Sequence, residues 1–307
     1  MRRFSEKTSG VLHSSDLKTT KGKIVYWILF AAILIISILC LIPAIWVLMG
    51  AFKDTQEIYK NISFFPENLT WEIVITRISE SWKEVQFGNS IINTLIMAFG
   101  ELFFAITVPG FAGYALSRLK PKGTTLIMSL VLWTLMMPSS MRTVPLFISY
   151  MSFPFANSNG MFEGVSLLNT FWPMWLAAGA NSFNVLLFKN CFDSISISYV
   201  EAAKLDGSGN LGIFFKIMLP LSLPVVIYVS IMTLNASWSN FFTPYLVLSD
   251  ETLVTTAVKV YRLKADSSIE MNTYFMALIL ASVPPFLTFA VFQRYILGGV
   301  NVGGVKS

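Results

Sequence analysis

Charge is missing from long stretches of this chain, and those stretches organise it. Six apolar runs cover residues 24–52, 87–117, 123–141, 164–188, 217–249 and 271–293, and Glu101 alone interrupts them. A helix needs roughly 20 such residues to cross the hydrocarbon core of a bilayer. The pattern therefore predicts an all-α integral membrane protein with six transmembrane helices. Residues 24–297 form the membrane domain, between an N-terminal tail (1–23) and a C-terminal tail (298–307). Tyr26 and Trp27 sit where interface anchors belong. The first run is too long for a signal peptide and has no small-residue cleavage pattern after it, so it reads as a retained helix.

Composition agrees with the pattern. The 307 residues are 54% hydrophobic and 13% charged, with a mean hydropathy of +0.64; soluble domains carry about 25% charged residues. The net charge of +5 raises nucleic acid as a partner, but the bases are scattered among apolar runs, so no nucleic acid is expected. Their distribution instead fixes orientation. Arg2, Arg3, Lys7, Lys18, Lys21 and Lys23 precede the first run against Glu6 and Asp16. Residues 53–86 hold six acids (Asp54, Glu57, Glu67, Glu72, Glu80, Glu84) and four bases, while Arg118, Lys120 and Lys122 follow the second run without an acid. By the positive-inside rule the N-terminus is cytoplasmic, and six crossings return the C-terminus there too.

Enzymatic chemistry has little to work with. His13 is the single histidine and lies in a polar tail, so neither histidine catalysis nor a metal site is expected. Cys40 and Cys191 read as unpaired, buried thiols. Asn61 and Asn68 open glycosylation patterns by spacing alone, and no use of them is expected. No Gly-x-x-x-x-Gly-Lys-Ser/Thr phosphate loop is present, so the chain should not hydrolyse ATP.

The most informative motif lies between the fourth and fifth runs, which this topology places in the cytoplasm. It reads Glu201-Ala202-Ala203, three residues, Gly207, nine residues, Ile217, one residue, Leu219-Pro220. Residues 194–206 suit a short helix stopped at Gly207, because glycine tolerates the left-handed conformation past a helix end. A second helix would start near Ser208 or Asn210, turn Phe214, Phe215, Ile217 and Met218 into the bundle, and end at Pro220. Ala202 and Ala203 are small enough for another protein to approach closely.

Seven matched residues over these twenty positions resemble the cytoplasmic coupling loop of permease subunits in binding-protein-dependent ABC importers. The resemblance implies a helix–turn–helix knob, about residues 190–222, seated in a cleft of a nucleotide-binding subunit. Glu201 would pair with a base there, with Asp206 in the same contact. Two further stretches are similar to carbohydrate importers: 182–188 with Ser194-Ile195, and Phe111-Ala-Gly-Tyr-Ala-Leu-Ser-Arg-Leu119. The C-terminus, from Phe292 to Lys306, is similar to that of the smaller, six-span subunit of maltose-type transporters. That tail implies an ATPase contact through Gly303, Gly304 and Lys306. Ser196 stands where a proline is common, and Trp238-Ser-Asn-Phe241 only approximates the usual run.

The family reading implies a second homologous permease, two ATP-binding subunits carrying ATP and Mg, and an extracytoplasmic sugar-binding protein. This chain itself would hold no cofactor, in a bacterial plasma membrane. A non-sugar cargo (amino acid, peptide or oxyanion) is the alternative. A secondary transporter is disfavoured by the lack of repeats and paired intramembrane charges. A membrane enzyme is disfavoured by the lack of clustered nucleophiles. Glu101 could be an ion-coupling group or an interhelical hydrogen-bond partner, and the second is preferred. Asn235, Ser237, Trp238, Ser239 and Asn240 could line a translocation path or glue helices. Residues 250–270 would be an external loop that docks a partner or is simply solvated.

Overall fold

The computed structural model describes residues 19–60, 63–154 and 164–297; His13 and the tail residues Gly303, Gly304 and Lys306 lie outside them. Among the described residues the chain is helical, with one isolated bridge between Phe153 and Val165. In order the helices are α1 (Thr20–Gly50), α2 (Thr55–Lys60), α3 (Trp71–Glu84), α4 (Phe87–Leu119, its last turn a π-helix), α5 (Thr124–Met136) and α6 (Ser139–Met151). There follow α7 (Trp172–Gly179), α8 (Ser182–Ser194), α9 (Ile197–Leu205) and α10 (Asn210–Leu221, with a π-helical centre). The last four are α11 (Leu223–Ser239), α12 (Phe242–Val247), α13 (Thr256–Ala265) and α14 (Met271–Leu297).

Two compact units emerge. The first comprises residues 1–77 and 270–276. Thr19 caps α1, its side chain accepting from the Gly22 amide at 3.1 Å. Beyond Lys23 α1 is apolar on every side; it is exposed along its length, burying only Gly22 and Gly50. A helix apolar all round and not covered by protein suits lipid rather than water. Its end is tied down: Trp46 meets Phe275 edge-on at 5.2 Å, and Asn272 donates to the Lys53 carbonyl at 3.1 Å. Cys40 lies on the exposed length of α1, so the expectation of two buried thiols holds for Cys191 alone.

The second unit, residues 78–269 and 277–307, is built around α4, which packs against α7, α8 and α11. Gly113 permits a close approach of α4 to α8: a Cβ there would stand 2.8 Å from the Lys189 amide and 2.9 Å from the Phe188 Cβ. Glu101 of α4 is buried and accepts a hydrogen bond from Ser237 of α11, which also donates to the Thr233 carbonyl at 2.8 Å. The carboxylate thus joins two helices.

Among the described residues, three helices are long and apolar enough to cross a membrane: Thr20–Gly50, Phe87–Leu119 and Met271–Gln293. The count reaches five if each bent pair is one span. The other three expected spans are broken. The run at 123–141 stops at Met136, because Met137 adopts an extended conformation ahead of Pro138; α5 alone, at 13 residues, reaches about 20 Å. The run at 164–188 divides at Ala180, where Asn181 caps α8 by accepting from the Asn184 amide at 3.1 Å. The run at 217–249 divides at Ser222, with a bend of 77°, and again at Asn240. Apolarity in these runs is continuous; backbone hydrogen bonding is not.

Candidate functional site

The motif residues form a short knob. Ser196 caps α9, accepting from the Ser198 amide. The helix therefore starts at Ile197 rather than 194, since Ser194 still belongs to α8. Its end is a Schellman turn: the Gly207 amide donates to the Lys204 carbonyl at 3.0 Å and the Ser208 amide to the Ala203 carbonyl at 2.9 Å. Gly207 has φ +78°, the left-handed region in which a β-carbon is costly. Asp206 is the C-cap, and α10 begins at Asn210.

The two faces of the knob differ. Glu201, Ala202, Lys204, Asp206 and Gly207 are exposed, and Leu205 is 90% exposed. Val200, Ala203, Ile213, Phe214 and Met218 are buried, with Ile217 and Leu219 packed beside them. Ala203, at 6% exposure, is small because the chain packs its own core against it, which corrects the expectation that it admits a partner; Ala202 remains on the open face. Pro220 does not end α10. The break falls at Ser222, between Pro220 and Pro224, whose missing amides interrupt the helical ladder on both sides. Ser222 is fully buried, its amide donating to Met218 (3.0 Å) and Leu219 (3.1 Å).

The knob is bolted to the bundle by aromatic packing. Phe214 stacks on Phe111 of α4 at 4.4 Å and meets Phe192 of α8 edge-on at 6.3 Å. Residues outside the motif complete the attachment. Arg118, in the π-turn of α4, donates to the carbonyls of Phe192 and Ile195, satisfying the end of α8. Ser117 donates to Asp193 at 2.6 Å, and Lys189 pairs with the same carboxylate. Burial alone would raise the Asp193 pKa. Hydrogen bonds from Lys189 and Ser117, with the positive charges of Lys189 and Arg118, outweigh that and hold it below the usual aspartate range. Sequence reading placed 111–119 in a resembling segment but did not anticipate this clamp. Its signal is a Ser-Arg pair ending an apolar run, which becomes meaningful only when α8 is brought alongside.

The polar group in α11 is dispersed. Trp238 and Ser237 are buried, Asn240 is half-buried and Asn235 is exposed. A cavity of about 1250 Å³ lies elsewhere in the second unit, between α5, α6, α7, α8 and α12, and its walls include none of Asn235, Trp238 and Asn240. Among the described residues no cluster of histidine, cysteine, aspartate or glutamate could hold a metal ion.

A helical bundle with lipid-suited helices and a motif-bearing knob defines a membrane transport component. Residues 86–301 match the family described as binding-protein-dependent transport system inner membrane component, and the chain belongs to it. Among curated relatives, a diacetylchitobiose uptake system permease protein of Streptomyces coelicolor is 27% identical over 275 residues, covering 89% of this chain and 86% of its own. An arabinooligosaccharides transport system permease protein of Halalkalibacterium halodurans is 28% identical over 296 residues, covering 94% and 100%. The fold also matches a chain of a bacterial ABC transporter involved in import of the acidic polysaccharide alginate. There the TM-score is 0.73 at 22% identity, over 90% of this chain and 98% of that one.

Proposed function

We propose that this chain is one half of the translocation pathway of an ATP-driven importer for a sugar or oligosaccharide. An extracytoplasmic binding protein delivers the cargo. Support for the cargo class comes from relatives named for diacetylchitobiose and arabinooligosaccharides. In this reading the chain crosses the membrane six times, counting the broken runs as spans, with both termini in the cytoplasm. A second homologous permease completes the pathway. Two ATPase subunits carry the ATP and Mg, so the chain itself hydrolyses nothing.

The observation that carries the reading is the knob at 197–222. Its exposed face holds Glu201, Ala202, Leu205 and Asp206, while its inner face is packed into the core around α4 and α8. Force applied to the open face reaches the bundle through Phe214, Arg118 and Asp193 rather than dissipating in a loop. Glu201 is the charged contact; truncating one member of a partly desolvated interfacial pair costs about 2–5 kcal/mol. Glu201→Lys should leave membrane insertion unchanged, release the ATPase from the complex and abolish uptake. Membrane fractionation with uptake assays checks this, and normal uptake by the variant would sink the coupling assignment.

A further inference from the structure

The cavity in the second unit is walled by helices that begin or end at interruptions. The first turn of α6, just after the α5–α6 break, contributes Ser140 and Arg142; Asn181, the cap of α8, and Ser182 come from the α7–α8 junction; and α12 contributes its first residues, Phe242 and Thr243. Non-helical backbone at membrane depth is tolerated where it is buried in protein or lines a water-filled cavity, and interrupted helices are where transporters place their binding sites. The walls combine aromatic faces, notably Tyr150, Phe183 and Phe242, with hydroxyl and amide groups. That mixture suits a saccharide, which offers an apolar ring face and a rim of hydroxyls. One ionisable group stands out. Arg142 is exposed, and among the described residues the lining contains no carboxylate to neutralise it.

We infer that this cavity is a saccharide subsite of the chain itself, and that Arg142 selects sugars bearing an oxyanion such as a uronic acid carboxylate. The planar guanidinium matches a carboxylate with two parallel hydrogen bonds. A neutral sugar can use the aromatic and hydroxyl walls but leaves the cation unpaired. The inference rests on the importer reading above, and it narrows the cargo from saccharide to acidic saccharide.

The test uses the whole transporter complex in nanodiscs, with trigalacturonate and its carboxyl-reduced neutral counterpart as probes in saturation-transfer NMR. The expected result is preferential binding of trigalacturonate. Arg142→Gln should weaken that binding about ten-fold or more, as loss of a charged hydrogen-bond partner does, and leave the neutral probe nearly unchanged. Arg142→Lys, which keeps the charge but not the fork, should recover part of the loss. Equal binding of both probes, or no effect of Arg142→Gln, assigns the guanidinium to lipid headgroups or packing and overturns the selectivity. No binding of either probe, in a complex whose ATPase responds to a saccharide-loaded binding protein, overturns the subsite and leaves the importer reading standing. A purified chain that assembles with no ATPase overturns both.

Discussion

At the scale of single residues, small side chains have separate jobs that the sequence does not distinguish. Gly207 is needed for its backbone: at φ +78° a β-carbon costs about 1–2 kcal/mol. Gly207→Val should open the Schellman turn, making the knob cleavable by added protease and lowering uptake. Ala203 is needed for its size, since it sits in the core rather than on the open face. Ala203→Leu should therefore disturb the α4–α8–α10 packing and lower thermal stability, whereas Ala202→Leu should leave stability alone and weaken ATPase association. Asp193 has a folded-state pKa below its unfolded value, so its contribution is present above the ordinary aspartate range and is lost as pH falls through the folded value. Asp193→Asn should remove that acid-side dependence of stability, measured by thermal unfolding in detergent across pH.

At the scale of elements, hydrophobic runs announce where the chain enters the apolar phase but not where a helix stops. Runs 24–52, 87–117 and 271–293 correspond to unbroken helices because nothing in them offers the backbone a better partner at a break; even Pro43, Pro109, Pro284 and Pro285 are accommodated within the helices. Runs 123–141, 164–188 and 217–249 break at Pro138, at Asn181 and at Ser222 between two prolines, where a local cap or a missing amide competes with the helix. Apolar counting is blind to this competition. Close packing of α4 on α8 was equally hidden, because it depends on Gly113 facing the Lys189 backbone. Gly113→Val should force those helices apart and reduce the yield of assembled complex, seen by size-exclusion chromatography.

At the scale of the whole molecule, the proposed six-crossing topology can be tested by single cysteines placed in a Cys40→Ser, Cys191→Ser background. Ser208→Cys on the knob should react with a membrane-impermeant thiol reagent only in inside-out vesicles. Ser268→Cys, beyond α13, should react only in right-side-out cells. The class of protein was legible in the sequence: long uncharged runs suit lipid, and the 201–220 spacing marks the knob. The sequence also singled out Glu201, Ala202 and Asp206 as expected partner contacts, and the structure leaves all three exposed. Tertiary structure decided which motif residues face inward, how Arg118 and Ser117 clamp the end of α8, and that Glu101 is bonded to Ser237. It also gathered α5, α6, α7, α8 and α12 around one cavity. Those features join residues 70 to 140 positions apart. Periodicity and composition report what each residue prefers around it, but pairing is set by how helices pack, and packing is a property of the assembled chain.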